Sequence, residues 1–96
     1  MKINIQGIHD SRAVFVNNRF LDVIDSQKVY NHSPDGFAWG YGGSGPAQLA
    51  LAVLLLYTNK ETALRNYQRF KFDIIAKIRQ SDFNIDVELD PYLIKE

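Results

Sequence analysis

HSPDGFAWGYGGSGPAQLALAVLLL, residues 32–56, holds the most constrained backbone of the chain directly before its least polar segment. Four glycines, Gly40, Gly42, Gly43 and Gly45, fall within six residues. Pro46 suits the first position of a helix, where its missing N–H has no intrahelical acceptor to lose. The spacing therefore predicts a helix from Pro46, capped by Ser44 or Gly45. Its body is apolar almost all round, Gln48 excepted, so it is buried on several sides or packs against another chain. Phe37 to Tyr41 reads as a strand with Phe37, Trp39 and Tyr41 on one face. Ser33-Pro34-Asp35-Gly36 reads as a turn.

Upstream, Lys2 to Ile8 alternates as a half-buried strand. Ala13 to Val16 is a second strand. Asn17-Asn18 suits a two-residue hairpin turn because Asn tolerates positive φ, and Arg19 to Leu21 returns. Residues 22–36 read as a long ordered connection. Downstream, Thr58-Asn59-Lys60-Glu61 matches a capping box that opens a second helix. Its apolar stripe runs through Ala63, Tyr67, Phe70, Ile74 and Ile78. Ile85, Val87 and Leu89 alternate like a short strand. Asp90-Pro91 reads as the cap and first residue of a last helical turn over Tyr92 to Glu96. The expected architecture is one α+β domain over 1–96. A small antiparallel sheet of three to four strands packs on two helices, with a short C-terminal element.

Composition narrows the function classes. Eleven basic and eleven acidic residues give no net charge, so nothing global favours DNA or RNA. No cysteine is present, which excludes disulfides, a thiolate metal site and a cysteine nucleophile. The start MKINIQGIHD lacks a signal-peptide core, and the run from Ala47 to Tyr57 is too short to span a bilayer. A soluble, cytoplasmic protein with no metal and no cofactor is expected. The over-apolar helix on so small a sheet points to a homo-oligomer.

The glycine loop carries two readings. It is a sharp turn with close strand–helix packing, or a row of backbone N–H groups at a helix N-terminus that holds phosphate or carboxylate. No Lys-Ser/Thr follows the last glycine, so it is not a Walker loop. Under the second reading Gly40, Gly42, Gly43, Ser44, Gly45 and Pro46 form the site, Trp39 or Tyr41 stacks on a base, and His32 and Gln48 add hydrogen bonds. Aromatics at such positions are more often core, and that is the leading reading of Trp39 and Tyr41. His32, Asp35 and Ser44 supply the names of a catalytic triad without its sequence context, so no catalytic residue is assigned. His9-Asp10 reads as a turn. Arg65, Arg69 and Lys71 read as a solvated helix face, with a lesser reading in which one or two reach an anion at the loop.

Residues 33–54 fit S-P-x-G-F-x-W-G-Y-x-G-S-G-P-x-Q-L-A-L-A-x-L throughout. In this stretch the chain resembles a family of small uncharacterised proteins, a domain of unknown function found in bacteria, plasmids and phages. Gly7, Val14, Leu21-Asp22, Tyr67, Phe70 and Lys71 also fit, so the resemblance covers most of the chain. Ala38 departs from it, standing where many members are acidic. The resemblance implies the same loop as the site and brings no activity. A phage setting implies a protein that acts in the host cytoplasm by binding, as in sequestering an immune signal.

Three functions follow. The first is non-catalytic binding of a small anionic ligand, nucleotide or nucleotide-like, with no DNA and no membrane partner. The second is a protein–protein inhibitor or regulator. The third, ranked last, is a small hydrolase using His32.

Overall fold

The sheet grows from the N-terminus by local pairing in a computed structural model that describes residues 1–94. Strand β1 (Lys2–Ile8) buries Ile3, Ile5 and Gly7 on one face, as its alternation requires. Strand β2 (Ala13–Val16) returns beside it, with Ile5 opposite Val16 and Gly7 opposite Val14. Asn17 and Asn18 take φ of 49° and 66° and close a two-residue turn into β3 (Arg19–Phe20). Two successive left-handed residues match the twist of the flanking strands, and Asn carries them at low cost. Leu21 lies past the strand but still donates its N–H to Val14 O at 2.8 Å.

Of the two further strands expected, the one through Ile85 and Val87 forms and the one through Phe37 to Tyr41 does not. Phe37 to Tyr41 is irregular, and the fourth strand is β4 (Phe83–Glu88), antiparallel to β1 in the order β3-β2-β1-β4. The alternation did bury Phe37 and Trp39, but Gly40 turns to φ +87° and gives its N–H to Ile75 O. A backbone spent on such a contact has no ladder to join. Ser33 to Gly36 is the expected turn, closed by Gly36 N–H to Ser33 O.

Helices cover one face of the sheet. The expected connection 22–36 contains α1 (Ile24–Val29), opened by the Asp22 carboxylate, which accepts from Ile24 N–H at 2.9 Å. Six residues are too few for a readable periodicity. Helix α2 (Ser44–Leu55) begins two residues before Pro46, with Gly43 as its cap in place of Ser44 or Gly45. Helix α3 (Lys60–Asp73) is capped by Asn59, not Thr58: the Asn59 side chain accepts from Thr62 N–H at 2.8 Å. It stops at Asp73, so Ile74 caps its end, and Ile75 and Ile78 belong to a 3-10 turn at Ile75–Lys77 and its exit. Another 3-10 turn, Asp90–Tyr92, follows Leu89, so Asp90 is its first residue and not its cap. The rest of the expected last turn includes residues 95 and 96, which lie outside the described residues.

The α+β reading holds, with a third short helix added. Every residue of α2 from Gly45 to Leu54 is buried within one chain. The helix lies against α1 and α3 and shares one apolar cluster with Ile3, Ile5, Val14, Val16 and Val87 of the sheet. It is the central element, and so its apolar girth does not call for a second copy. No helix among the described residues is long and apolar enough to cross a membrane.

Candidate functional site

Each glycine of the loop has a neighbour that fills the place of a side chain. A Cβ on Gly40 would lie 2.7 Å from Ile78 O, and one on Gly45 would lie 2.6 Å from the Ala38 Cβ. On Gly43 it would meet the Tyr41 ring at 2.4 Å, and on Gly42 the Phe72 ring at 3.3 Å. Close packing thus requires glycine at 40 and 45, whereas the Phe72 and Tyr41 rings beside 42 and 43 are half exposed and can move aside. Packing does not use the loop's donors. The N–H groups of Gly42, Gly43, Ser44 and Gly45 find no acceptor among the described residues, and the first loop-to-helix bond is Ala47 N–H to Gly43 O at 3.1 Å. Gly40 is different, since its N–H and C=O are held by Ile75 and Gln80.

Pro46 explains part of this openness. With Gly43 as the cap, Pro46 is the third helical residue, the one whose N–H a capping side chain ordinarily takes. Pro46 has no N–H and Gly43 has no side chain, so neither half of a cap is present.

One cation comes to the loop. Lys71 projects from α3, is only 6 % exposed, and its Nζ donates to Gly42 O at 3.3 Å. The ammonium also lies 4.0 Å from the centre of the Phe72 ring. No carboxylate pairs with it among the described residues. An ammonium carries three donors, and one carbonyl uses one of them. The two arginines of α3 are engaged elsewhere. Arg65 pairs with Glu61, and Arg69 donates to Asn66 and to Pro91 O while its guanidinium lies over Tyr92.

His32 stands next to this cation. Its Nε2 is 2.7 Å from the hydroxyl of Tyr67, one turn before Lys71 on α3, and its ring stacks on Tyr30 at 4.0 Å with a 1° interplanar angle. Burial, and after it the charge of Lys71, hold the imidazole below its ordinary 6.5. No hydrogen bond joins His32 to Asp35 or Ser44, so the three are not a triad. No group of three His, Asp or Glu among the described residues could hold a metal ion.

Two expected ligand contacts are consumed by the fold. Trp39 is fully buried, its indole N–H bonded to Ser81 O at 2.9 Å and its ring packed on Phe83, so it offers no face for stacking. Gln48 is fully buried too. Its oxygen accepts from His32 N–H and Ser33 N–H, and its nitrogen donates to Ser26 Oγ and Tyr30 O. It fixes the segment that carries His32 and has nothing left to offer. Tyr41 and Tyr30 are about half exposed, as is Phe72. Tyr30, Tyr67 and Phe72 are not among the site residues expected from the sequence. Lys71 is buried and not on the solvated helix face expected of it, because it extends the buried Ala63–Tyr67 row by another four residues.

Against this geometry, a family model described as a family of unknown function (DUF6166) matches residues 6–90. The chain belongs to this family. The DUF6166 match takes in the whole loop, α2 and α3, and so every residue named above as part of the site. No curated protein and no solved structure matches the chain.

Proposed function

We propose that the protein binds a small anionic ligand, nucleotide or nucleotide-like, between the loop at Gly42–Gly45 and Lys71, without turning it over. The observation that carries this reading is Lys71. A lysine is costly to bury unless an anion or a set of acceptors compensates it, and this one reaches only a carbonyl and a ring face. Four uncommitted amides and the positive end of α2 lie on the same loop. An anion there completes the coordination of the ammonium. Tyr30, Tyr41 and Phe72 supply aromatic faces for a base, and His32 supplies its Nδ1 as a further polar atom. In a phage or plasmid setting, which the sequence resemblance suggests, such a protein would act in the cytoplasm by sequestering a nucleotide signal of host defence.

Calorimetric titration with mono-, di- and cyclic nucleotides and with inorganic phosphate tests the reading. At least one of them binds, and Lys71→Met weakens it by at least tenfold while the fold persists. If the whole panel is silent at millimolar concentration, or if Lys71→Met binds as well as the parent, the reading fails.

A further inference from the structure

A second exposed surface lies at the C-terminal end of α2, the end away from the glycine loop. Three adjoining cavities, of about 200, 260 and 370 Å³, run along the edge of β3, and Phe20 lines all of them. The middle one lies between Phe20 and the C-terminal end of α2, floored by Ala52, Leu55 and Leu56 and flanked by Asp22 and Asp25. Phe20 is 64 % exposed and Leu56 52 %.

The backbone here is an open edge. Arg19 faces Val16 across the turn, and Leu21 N–H bonds Val14 O, so both point toward β2. Alternation then turns the N–H and C=O of Phe20 away from the sheet. The Phe20 side chain shares the outer face with Phe15, ring centres 5.8 Å apart. The opposite edge of the sheet, β4, is longer but carries Asp86 and Glu88 on an exposed face, the usual protection against strand addition.

Charge selects the occupant. Asp22 and Asp25 flank the middle cavity and form no ion pair among the described residues. Arg12 shares the first cavity with Asp22 and Asp35, and Arg19 lines the third. We infer that the β3 edge docks an extended segment of a partner protein that has apolar residues on its inward face and a lysine or arginine between them. The segment pairs with Phe20 through its main chain, fills the cavities with its apolar side chains and sets its cation between Asp22 and Asp25.

The probes are three acetylated, amidated peptides: Val-Thr-Lys-Thr-Val, Val-Thr-Glu-Thr-Val and Val-Pro-Lys-Pro-Val. They are titrated into ¹⁵N-labelled protein while amide shifts are followed. The first peptide moves Phe20, Asp22, Asp25 and Leu56, binds at least fivefold tighter than the other two, and loses that margin in Asp25→Asn and Leu56→Glu. Both substitutions are at exposed positions, so folding is retained. No shift at 5 mM overturns the proposal, as does equal binding of the acidic peptide. Shifts of the same residues on dilution of the protein alone assign the edge to a second copy and also overturn it. None of these readouts involves Lys71 or the glycine loop.

Discussion

The two long helices of this protein begin in opposite ways. Helix α3 is closed by its own chain, with Asn59 accepting from Thr62 N–H, and its first two residues, Lys60 and Glu61, are exposed to solvent. Helix α2 is left open: Gly43 has no side chain to offer, Pro46 has no donor to take, and the turn between them is packed on Ala38 and Tyr41. A helix whose only task is to end cheaply uses a capping residue. One that keeps its polar end uncapped, beside a buried lysine, retains its pull on an anion.

Substitutions at matching positions sharpen this contrast. The second helical residue is Gly45 in α2 and Glu61 in α3. Gly45→Ala costs about 2 kcal/mol, because the new methyl meets both the Cβ and the backbone of Ala38. Glu61→Ala costs about 0.5 kcal/mol or less, since its pair with Arg65 is exposed. Urea denaturation of both variants reads the difference, and equal losses would erase it. At the caps themselves, Asn59→Ala lowers stability by about 1 kcal/mol through the loss of the bond to Thr62. Gly43→Asn changes stability by only about 0.5 kcal/mol, since the half-exposed Tyr41 ring can swing aside and only one donor, on Gly45, gains an acceptor. Its larger effect is on binding: phosphate or nucleotide affinity falls severalfold as the new side chain occupies the loop amides. Unchanged affinity in that variant would place the ligand elsewhere.

A smaller effect concerns pH. His32 resists protonation in the folded protein, so the unfolded chain takes up the proton first as pH falls below 6.5. Its contribution to stability is full above that value and declines as pH drops toward and through the lowered folded value. His32→Gln flattens this part of the stability–pH profile. An anion beside Lys71 offsets the charge that His32 feels, so ligand affinity rises over the same fall in pH, and a titration at pH 7.5 and 5.5 measures it.

Sequence alone determined the parts built by neighbours along the chain. The alternation of β1 and β2, the Asn17-Asn18 turn, the apolar body of α2 and the start of α3 to within one residue all rest on local geometry and side-chain chemistry. The glycine loop was visible for the same reason. What lay against it was not. Trp39 looked like a stacking face and Gln48 like a hydrogen-bonding contact, but the groups that engage them, Phe83 and Ser81 for Trp39 and Ser26, Tyr30 and the amides at 32 and 33 for Gln48, come from distant or irregular segments. Phe37 to Tyr41 had the pattern of a strand, but a strand needs a neighbour, and β4 took the place beside β1. Lys71 became a buried cation only once α3 was laid across the loop, 29 residues away in sequence. Local preference sets which elements form, and long-range packing sets which polar atoms remain unspent.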